Sequence, residues 1–141
     1  VFFSNFTDNE VWETVGISQW QNRKAGEYIV REGEVSSSLF VMINGEACVT
    51  KSDVELTRMH AGSCFGEIGY LDEVRHVRLA TVMAVTDMTL IMIEGESLQH
   101  ASDGLQVSFA KAFLNLMVAR IKDTDRRLLS VLLAQPRTDP I

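Results

Sequence analysis

Only two of the 141 residues are cysteine, Cys48 and Cys64. Two thiols cannot supply the disulfide framework of a small secreted domain, and both read as reduced side chains packed like small hydrophobes. Positive charge is also scarce: 13 Lys and Arg stand against 19 Asp and Glu, for a net charge of −6. That balance provides no basic footprint for direct nucleic acid binding and no polybasic patch for an anionic membrane surface. No apolar run approaches the length needed to cross a bilayer, so no membrane insertion is expected. The three histidines, His60, His76 and His100, share no ligand spacing, and no metal centre is expected of them. No nucleophile stands in a recognisable arrangement with a base, and Ser36-Ser37-Ser38 reads as a loop, so the chain is expected not to be an enzyme. No repeat, low-complexity segment or secretory signal is visible, which suits a cytoplasmic protein. The first residue is Val1, and the sequence reads as a piece of a longer parent with a covalently linked effector domain.

The hydrophobic fraction of 46% and the length fit one folded domain with a real core. The domain divides into an N-terminal helix within 1–17, a strand-rich body over 18–95, C-terminal helices over 97–133 and a tail, 134–141. Thr7 or Asp8 can cap the first helix, with Glu10 as the capping-box acid if Thr7 is the cap. Val11, Trp12 and Val15 supply its apolar stripe. Strands are expected at 18–23, 27–31, 38–43, 46–51, 54–59, 78–85 and 88–94, separated by Gly and Asp turns. Asn44-Gly45, between two apolar runs, predicts a two-residue type I′ hairpin, with Ser52-Asp53 a weaker turn. Ser97 predicts the cap of a brief helix to about Ala101. A longer helix follows from about Leu105 to Leu133, with Phe109, Phe113, Leu116, Met117, Ile121, Leu128 and Leu132 at helical spacing. Many short strands between turns argue for a sandwich or barrel, a jelly roll among them. The apolar end of the last helix predicts a homodimer through that helix. After Leu133 too little chain remains for a helix-turn-helix.

One stretch carries most of the functional signal: GSCFGEIGYLDEVRHVRLATV, residues 62–82. Gly66 and Gly69 bracket Glu67 and Ile68, and Arg78 follows Glu67 by eleven residues, leading into Leu79-Ala80-Thr81-Val82. A tight turn that exposes backbone N–H groups beside a buried arginine suits a phosphate. A neighbouring carboxylate can accept hydrogen bonds from a sugar hydroxyl. Together these parts predict a pocket for a ribose bearing a phosphate.

These residues resemble a known family. Ile29-Val30-Arg31-Glu32-Gly33-Glu34, then Leu39-Phe40-Val41-Met42-Ile43-Asn44-Gly45-Glu46, and above all Phe65-Gly66-Glu67-Ile68-Gly69 with Arg78-Leu79-Ala80-Thr81-Val82 are similar, in order and spacing, to the cyclic-nucleotide-binding domain. The resemblance covers roughly residues 5–133. It implies a mainly β fold with flanking helices: an antiparallel β jelly roll, or double-stranded β-helix, with a short N-terminal and a long C-terminal helix. It implies that Glu67 accepts the ribose 2′-hydroxyl and that Arg78 pairs with the cyclic phosphate. Backbone N–H groups near Gly69 and Leu79 would join Arg78, and Gly66, Ile68 and Ala80 belong to the same cassette. Val49 and Met59 match strand positions that line the base pocket. The last helix would fold over the base as a lid or pair two protomers.

Two departures stand out. The eleven-residue interval exceeds the family's more frequent nine or ten, and Arg75 in the lengthened loop competes with Arg78 as the phosphate ligand. Leu79 occupies a position where Thr or Ser is often associated with cGMP; its apolar side chain favours cAMP. The expected function is a regulatory cyclic-nucleotide sensor with no catalysis or cofactor of its own. A domain of the same fold that has lost its ligand and serves interaction is the alternative. A cupin-type metal enzyme, which shares the jelly roll, is disfavoured because His-x-His and later metal ligands are missing.

Overall fold

The computed structural model describes residues 2–72 and 75–134; of the last helix, the side chains of 127–132 and 134 lie outside the description. The elements run α1 (Asp8–Ile17), β1 (Ser18–Arg23), β2 (Tyr28–Val30), β3 (Leu39–Asn44), β4 (Ala47–Lys51), β5 (Val54–Met59), β6 (Cys64–Phe65), α2 (Glu67–Leu71), β7 (Thr81–Ala84), β8 (Met88–Ile93), α3 (Gly95–Gln99) and α4 (Asp103–Ala134). Two antiparallel four-stranded sheets, ordered β1-β8-β3-β6 and β2-β7-β4-β5, form the jelly-roll body between the helices. They make an open pair of sheets and not a closed barrel.

The central strand β3 shows how the layers assemble. Leu39, Phe40, Val41 and Met42 are all buried, so both faces of the strand are covered. Side chains alternate across a strand. Phe40 and Met42 point into the core between the sheets, where they meet Ala47, Val82 and Leu90. Leu39 and Val41 point the other way, into a second core with Ile93, Leu105, Phe109 and Phe113. Phe2, Phe3 and Phe6 complete that second core around Phe109, the ring of Phe6 lying 5.1 Å from it. Truncating Phe109 would cost about 3–5 kcal/mol through lost contacts and the cavity left behind.

Local signals were mostly well placed. Thr7 caps α1 with both bonds of a capping box: its hydroxyl accepts from the Glu10 N–H at 3.2 Å, and its own N–H donates to Glu10 Oε1 at 2.9 Å. The apolar stripe expected on α1 is not buried, however, and Trp12 is 74% exposed. The helix docks instead through polar groups. Glu10 accepts from Ser108 Oγ at 2.9 Å, and Glu13 accepts from the Ser102 N–H at 2.8 Å.

The expected Asn44-Gly45 hairpin is not there. Strands β3 and β4 belong to different sheets, so the chain crosses between layers at this point. Gly45 has φ +91°, but Asn44 is not in the left-handed region, as a type I′ turn would demand. Asn44 instead accepts the Thr89 N–H at 2.8 Å. A β-carbon on Gly45 would sit 2.4 Å from Cβ of Met88, so the glycine answers to close approach of β8. The two-residue hairpin with both positions left-handed is Ser52 (φ 50°) and Asp53 (φ 64°), where Lys51 pairs with Val54 between β4 and β5.

Two element starts and one burial also differ. Strand β7 begins at Thr81, leaving Arg78, Leu79 and Ala80 outside the strand expected to start there. The brief helix α3 starts after Glu94 rather than Ser97. In α4, Phe109 and Phe113 are buried as the spacing predicts, but Ile121 is exposed. Leu128, Leu132 and the tail from residue 135 lie outside the described residues or side chains.

Candidate ligand-binding site

Gly66 opens the site. Its φ of +89° turns the chain from β6 into α2, a conformation that costs a residue with a β-carbon roughly 1–2 kcal/mol. The turn brings Gly66 and Gly69 against the side chain of Arg78. A β-carbon on Gly66 would lie 2.7 Å from the Ser38 carbonyl oxygen, and one on Gly69 would lie 2.8 Å from that of Ser36. Both glycines therefore vacate space that the guanidinium and the 36–38 loop occupy.

Arg78 is 5% exposed. Its Nη1 donates to the Gly66 carbonyl at 3.1 Å and its Nη2 to the Ser38 carbonyl at 2.7 Å. The guanidinium also lies over the Phe40 ring, 5.9 Å from its centroid. Burial pulls Arg78 below the usual arginine range, while Glu34 and Glu67 oppose the shift; an arginine has enough margin to stay cationic at neutral pH.

Glu67 is 2% exposed and forms an ion pair with Arg120 of α4. Beside it, burial pushes the Cys64 thiol well above its ordinary value; the Glu67 charge adds to that and Arg120 opposes it.

These groups face one cavity of about 1060 Å³. Gly66, Glu67, Ile68 and Gly69 line it from the turn and α2, and Arg78, Leu79 and Ala80 from the segment before β7. Val49 of β4 and Met59 of β5 line it from the second sheet. The residues expected to meet the ligand, Arg75 apart, thus line the same space. Arg75 is exposed at the surface, its N–H bonded to Asp72 Oδ1 at 3.3 Å, while Arg78 points inward. Within the cassette loop His76 adopts φ +52°. Its ring Nδ1 lies 2.7 Å from the Gly69 carbonyl oxygen, which can only accept, so Nδ1 carries the hydrogen. Residues 73 and 74 of that loop lie outside the described residues.

The sequence reading expected the last helix as a lid or a pairing element but named none of its residues at the site. Lys111, Asn115, Arg120, Asp123 and Thr124 all line the cavity. Nothing in the local sequence distinguishes Arg120 from the other charges of a polar helix face; its partner lies 53 residues away. Charge is distributed unevenly as a result. Lys51, Arg58, Arg78, Lys111 and Arg120 face the cavity against the carboxylates of Glu67 and Asp123, in a chain of net charge −6. Such a cleft attracts anions. Among the described residues no three His, Cys, Asp or Glu side chains converge as a metal site would require. The arrangement offers a buried cation with backbone turns for an anionic group, a carboxylate acceptor for a hydroxyl and an apolar wall for a ring.

Comparison with known proteins identifies the family and the fold. The chain is 27% identical over 116 residues to the cGMP-dependent protein kinase egl-4 of Caenorhabditis briggsae, covering 82% of the chain but only 15% of the kinase. A cyclic nucleotide-binding domain from Methylobacillus flagellatus superposes with a TM-score of 0.81 at 20% identity, over 99% of this chain and 79% of that one. The catabolite activator protein of Thermus thermophilus gives 0.76 at 22% identity, over 92% of this chain and 62% of that one. At those identities the two structures speak for the fold alone. The family model for the cyclic nucleotide-binding domain matches residues 20–103, more than half of the chain and the whole of the Gly66–Arg78 cassette, and the chain belongs to that family.

Proposed function

We propose that this chain is a regulatory module that binds a cyclic nucleotide, cAMP in preference to cGMP, and relays occupancy through α4 to an attached effector domain or a partner protomer. The observation that carries the reading is the convergence of Arg78, Glu67 and the Gly66–Gly69 turn on one cavity. Arg78 and the N–H groups near Gly69 and Leu79 take the cyclic phosphate, by charge-assisted bonds. Glu67 takes the ribose 2′-hydroxyl, and Val49 and Met59 face the base. Leu79 lines the cavity with a side chain that cannot hydrogen-bond a guanine amino group, which supports cAMP. The kinase relative named above is cGMP-dependent, so parallel titration is needed to decide between the two nucleotides. The reading includes no catalytic step and suits a cytoplasmic regulator. Linkage supplies the mechanism: a ligand that touches cassette and helix together favours the arrangement in which both are in place.

A second reading has its own support. Arg78 is already bonded to two carbonyls and Glu67 to Arg120, so both polar anchors are satisfied without a ligand. A domain of this kind could serve interaction alone. Isothermal titration of the chain with cAMP and with cGMP separates the readings. Saturable binding of either supports the sensor, tighter binding of cAMP supports the nucleotide preference, and no heat with either at millimolar concentration supports the interaction domain.

A further inference from the structure

Three segments of the cavity wall meet at His76. Its N–H donates to the Asp72 carbonyl at 3.1 Å, and its own carbonyl accepts the Ser36 N–H at 2.8 Å. Its ring Nδ1 donates to the Gly69 carbonyl at 2.7 Å. His76 thereby joins α2 to the 36–38 loop. The two carbonyls that hold Arg78 belong to the same neighbourhood, Gly66 at the head of α2 and Ser38 in the loop. The fit between them is close: a β-carbon on Gly69 would lie 2.8 Å from the Ser36 carbonyl oxygen and 3.0 Å from Nη1 of Arg78. Helix α2 spans only Glu67–Leu71, too short to be stable through its own bonds. Gly69 lies in its last turn, where carbonyls lack partners within the helix and a nearby histidine can supply one. His76 itself holds φ +52°, between exposed Arg75 and buried Arg78. Left-handed backbone is unfavourable for a residue with a β-carbon and persists where surrounding bonds fix it. The ring bond and the two backbone bonds do so here.

We propose that His76 is a positioning residue of the ligand site. Its ring clamps the last turn of α2 to the loop that leads to Arg78, and its backbone ties that loop to Ser36. The clamp keeps the Gly66–Gly69 turn against the Arg78 guanidinium without a ligand, so the wall that receives an anion is formed in advance. Donors already in place bind more tightly, because no ordering cost is subtracted from their contacts. The ligand half of this inference rests on the cyclic-nucleotide reading; the clamp does not.

Two substitutions separate the ring from the backbone. His76→Gly accepts the left-handed conformation and removes the ring. His76→Asn also tolerates that conformation and places an amide N–H the same number of bonds from Cβ as Nδ1. Hydrogen exchange on the ligand-free chain tests the clamp. The amides of Tyr70 and Asp72, which bond back to Gly66 and Ile68, are expected to exchange roughly threefold to tenfold faster in His76→Gly, the size of one lost neutral hydrogen bond. His76→Asn should restore part of the protection, and the amides of β3 and β8 stay unchanged in both. Unchanged exchange at Tyr70 and Asp72 in His76→Gly overturns the clamp, and so does an equal acceleration throughout β3 and β8, which would mark a loss of global stability.

Titration with cAMP, and in parallel with cGMP, tests the ligand half. His76→Gly is expected to weaken both by the same factor, roughly threefold to tenfold, because the clamp serves the phosphate end that the two share. His76→Asn should recover part of the loss. Wild-type affinity in His76→Gly overturns the positioning role. A loss confined to one nucleotide would place the effect at the base and overturns it as well. If the unmodified chain binds neither nucleotide, the sensor reading and the ligand half both fail, while the exchange result still decides the clamp.

Discussion

Gly66 and Arg78 share a volume that one added carbon would close: a β-carbon on Gly66 would lie 2.9 Å from Nη1 of Arg78. The same nitrogen donates to the Gly66 carbonyl. The turn and the guanidinium therefore hold each other in place, and the cavity wall depends on both.

Gly66→Ala meets both the backbone penalty of a positive φ and the Ser38 carbonyl, a group that cannot step aside. The expected loss of stability is about 2–4 kcal/mol, read as a lower denaturant midpoint with an unchanged slope. Gly69→Ala, in a helical conformation, meets steric crowding alone and should lose less. Equal losses at the two positions would show that the left-handed turn contributes little.

Replacing Arg78 by Ala should weaken nucleotide binding by about 2–5 kcal/mol, because it removes a buried charged partner. Arg75→Ala, at the exposed end of the loop, should cost under about 1 kcal/mol. Calorimetric titration of the two variants side by side is the measurement. A larger effect at Arg75 would mean that the eleven-residue loop presents a different guanidinium to the ligand.

Glu67 is expected to read the sugar. Glu67→Ala should weaken cAMP strongly and a 2′-deoxy analogue little, since the analogue has no hydroxyl to donate. Equal losses for both ligands would assign Glu67 to shaping the turn and seating Arg120.

A homodimer through α4 can be tested on described side chains. Val107, Leu114, Val118 and Ile121 are exposed at intervals of seven, four and three residues, close to a heptad seam. The leucines further along, including Leu128, have side chains outside the described set. Sedimentation should give a dimer at high micromolar concentration and a folded monomer for Val118→Asp with Ile121→Asp. A monomer for the unmodified chain would remove the dimer from the account of this chain.

Cys64 predicts alkaline sensitivity. Burial raises its folded-state value above the ordinary 9.0, so above that pH the unfolded chain has lost a proton that the folded chain retains. Stability then falls as pH rises through that range and is fully present below it. Urea melts at rising pH should show the decline, and Cys64→Ala should reduce it. A thiol reagent should likewise label Cys64 slowly until the chain unfolds.

What the sequence determined by itself was local chemistry. The Thr7–Glu10 capping box, the helix through Phe109 and Phe113 and the Gly66–Glu67–Gly69 turn followed by Arg78 all depend on residues close together in the chain. Their geometry follows from φ preferences and hydrogen-bonding capacity that a short window displays. What only the tertiary structure decided were pairings between distant segments. Asn44-Gly45 has the composition of a hairpin, yet β3 and β4 join different sheets, and the left-handed pair falls on Ser52 and Asp53. The two-residue strand β6 is too short for any periodicity to mark and exists because Phe40 and Val41 lie alongside it. Trp12 stays exposed because polar contacts from Glu10 and Glu13 decide which side of α1 faces α4. The ion pair between Glu67 and Arg120 joins a turn read correctly from the sequence to a helix whose charges looked interchangeable. A charge announces its type in the sequence, but its partner is chosen by the fold, because Coulomb and hydrogen-bond energies depend on distance in space and not on distance along the chain.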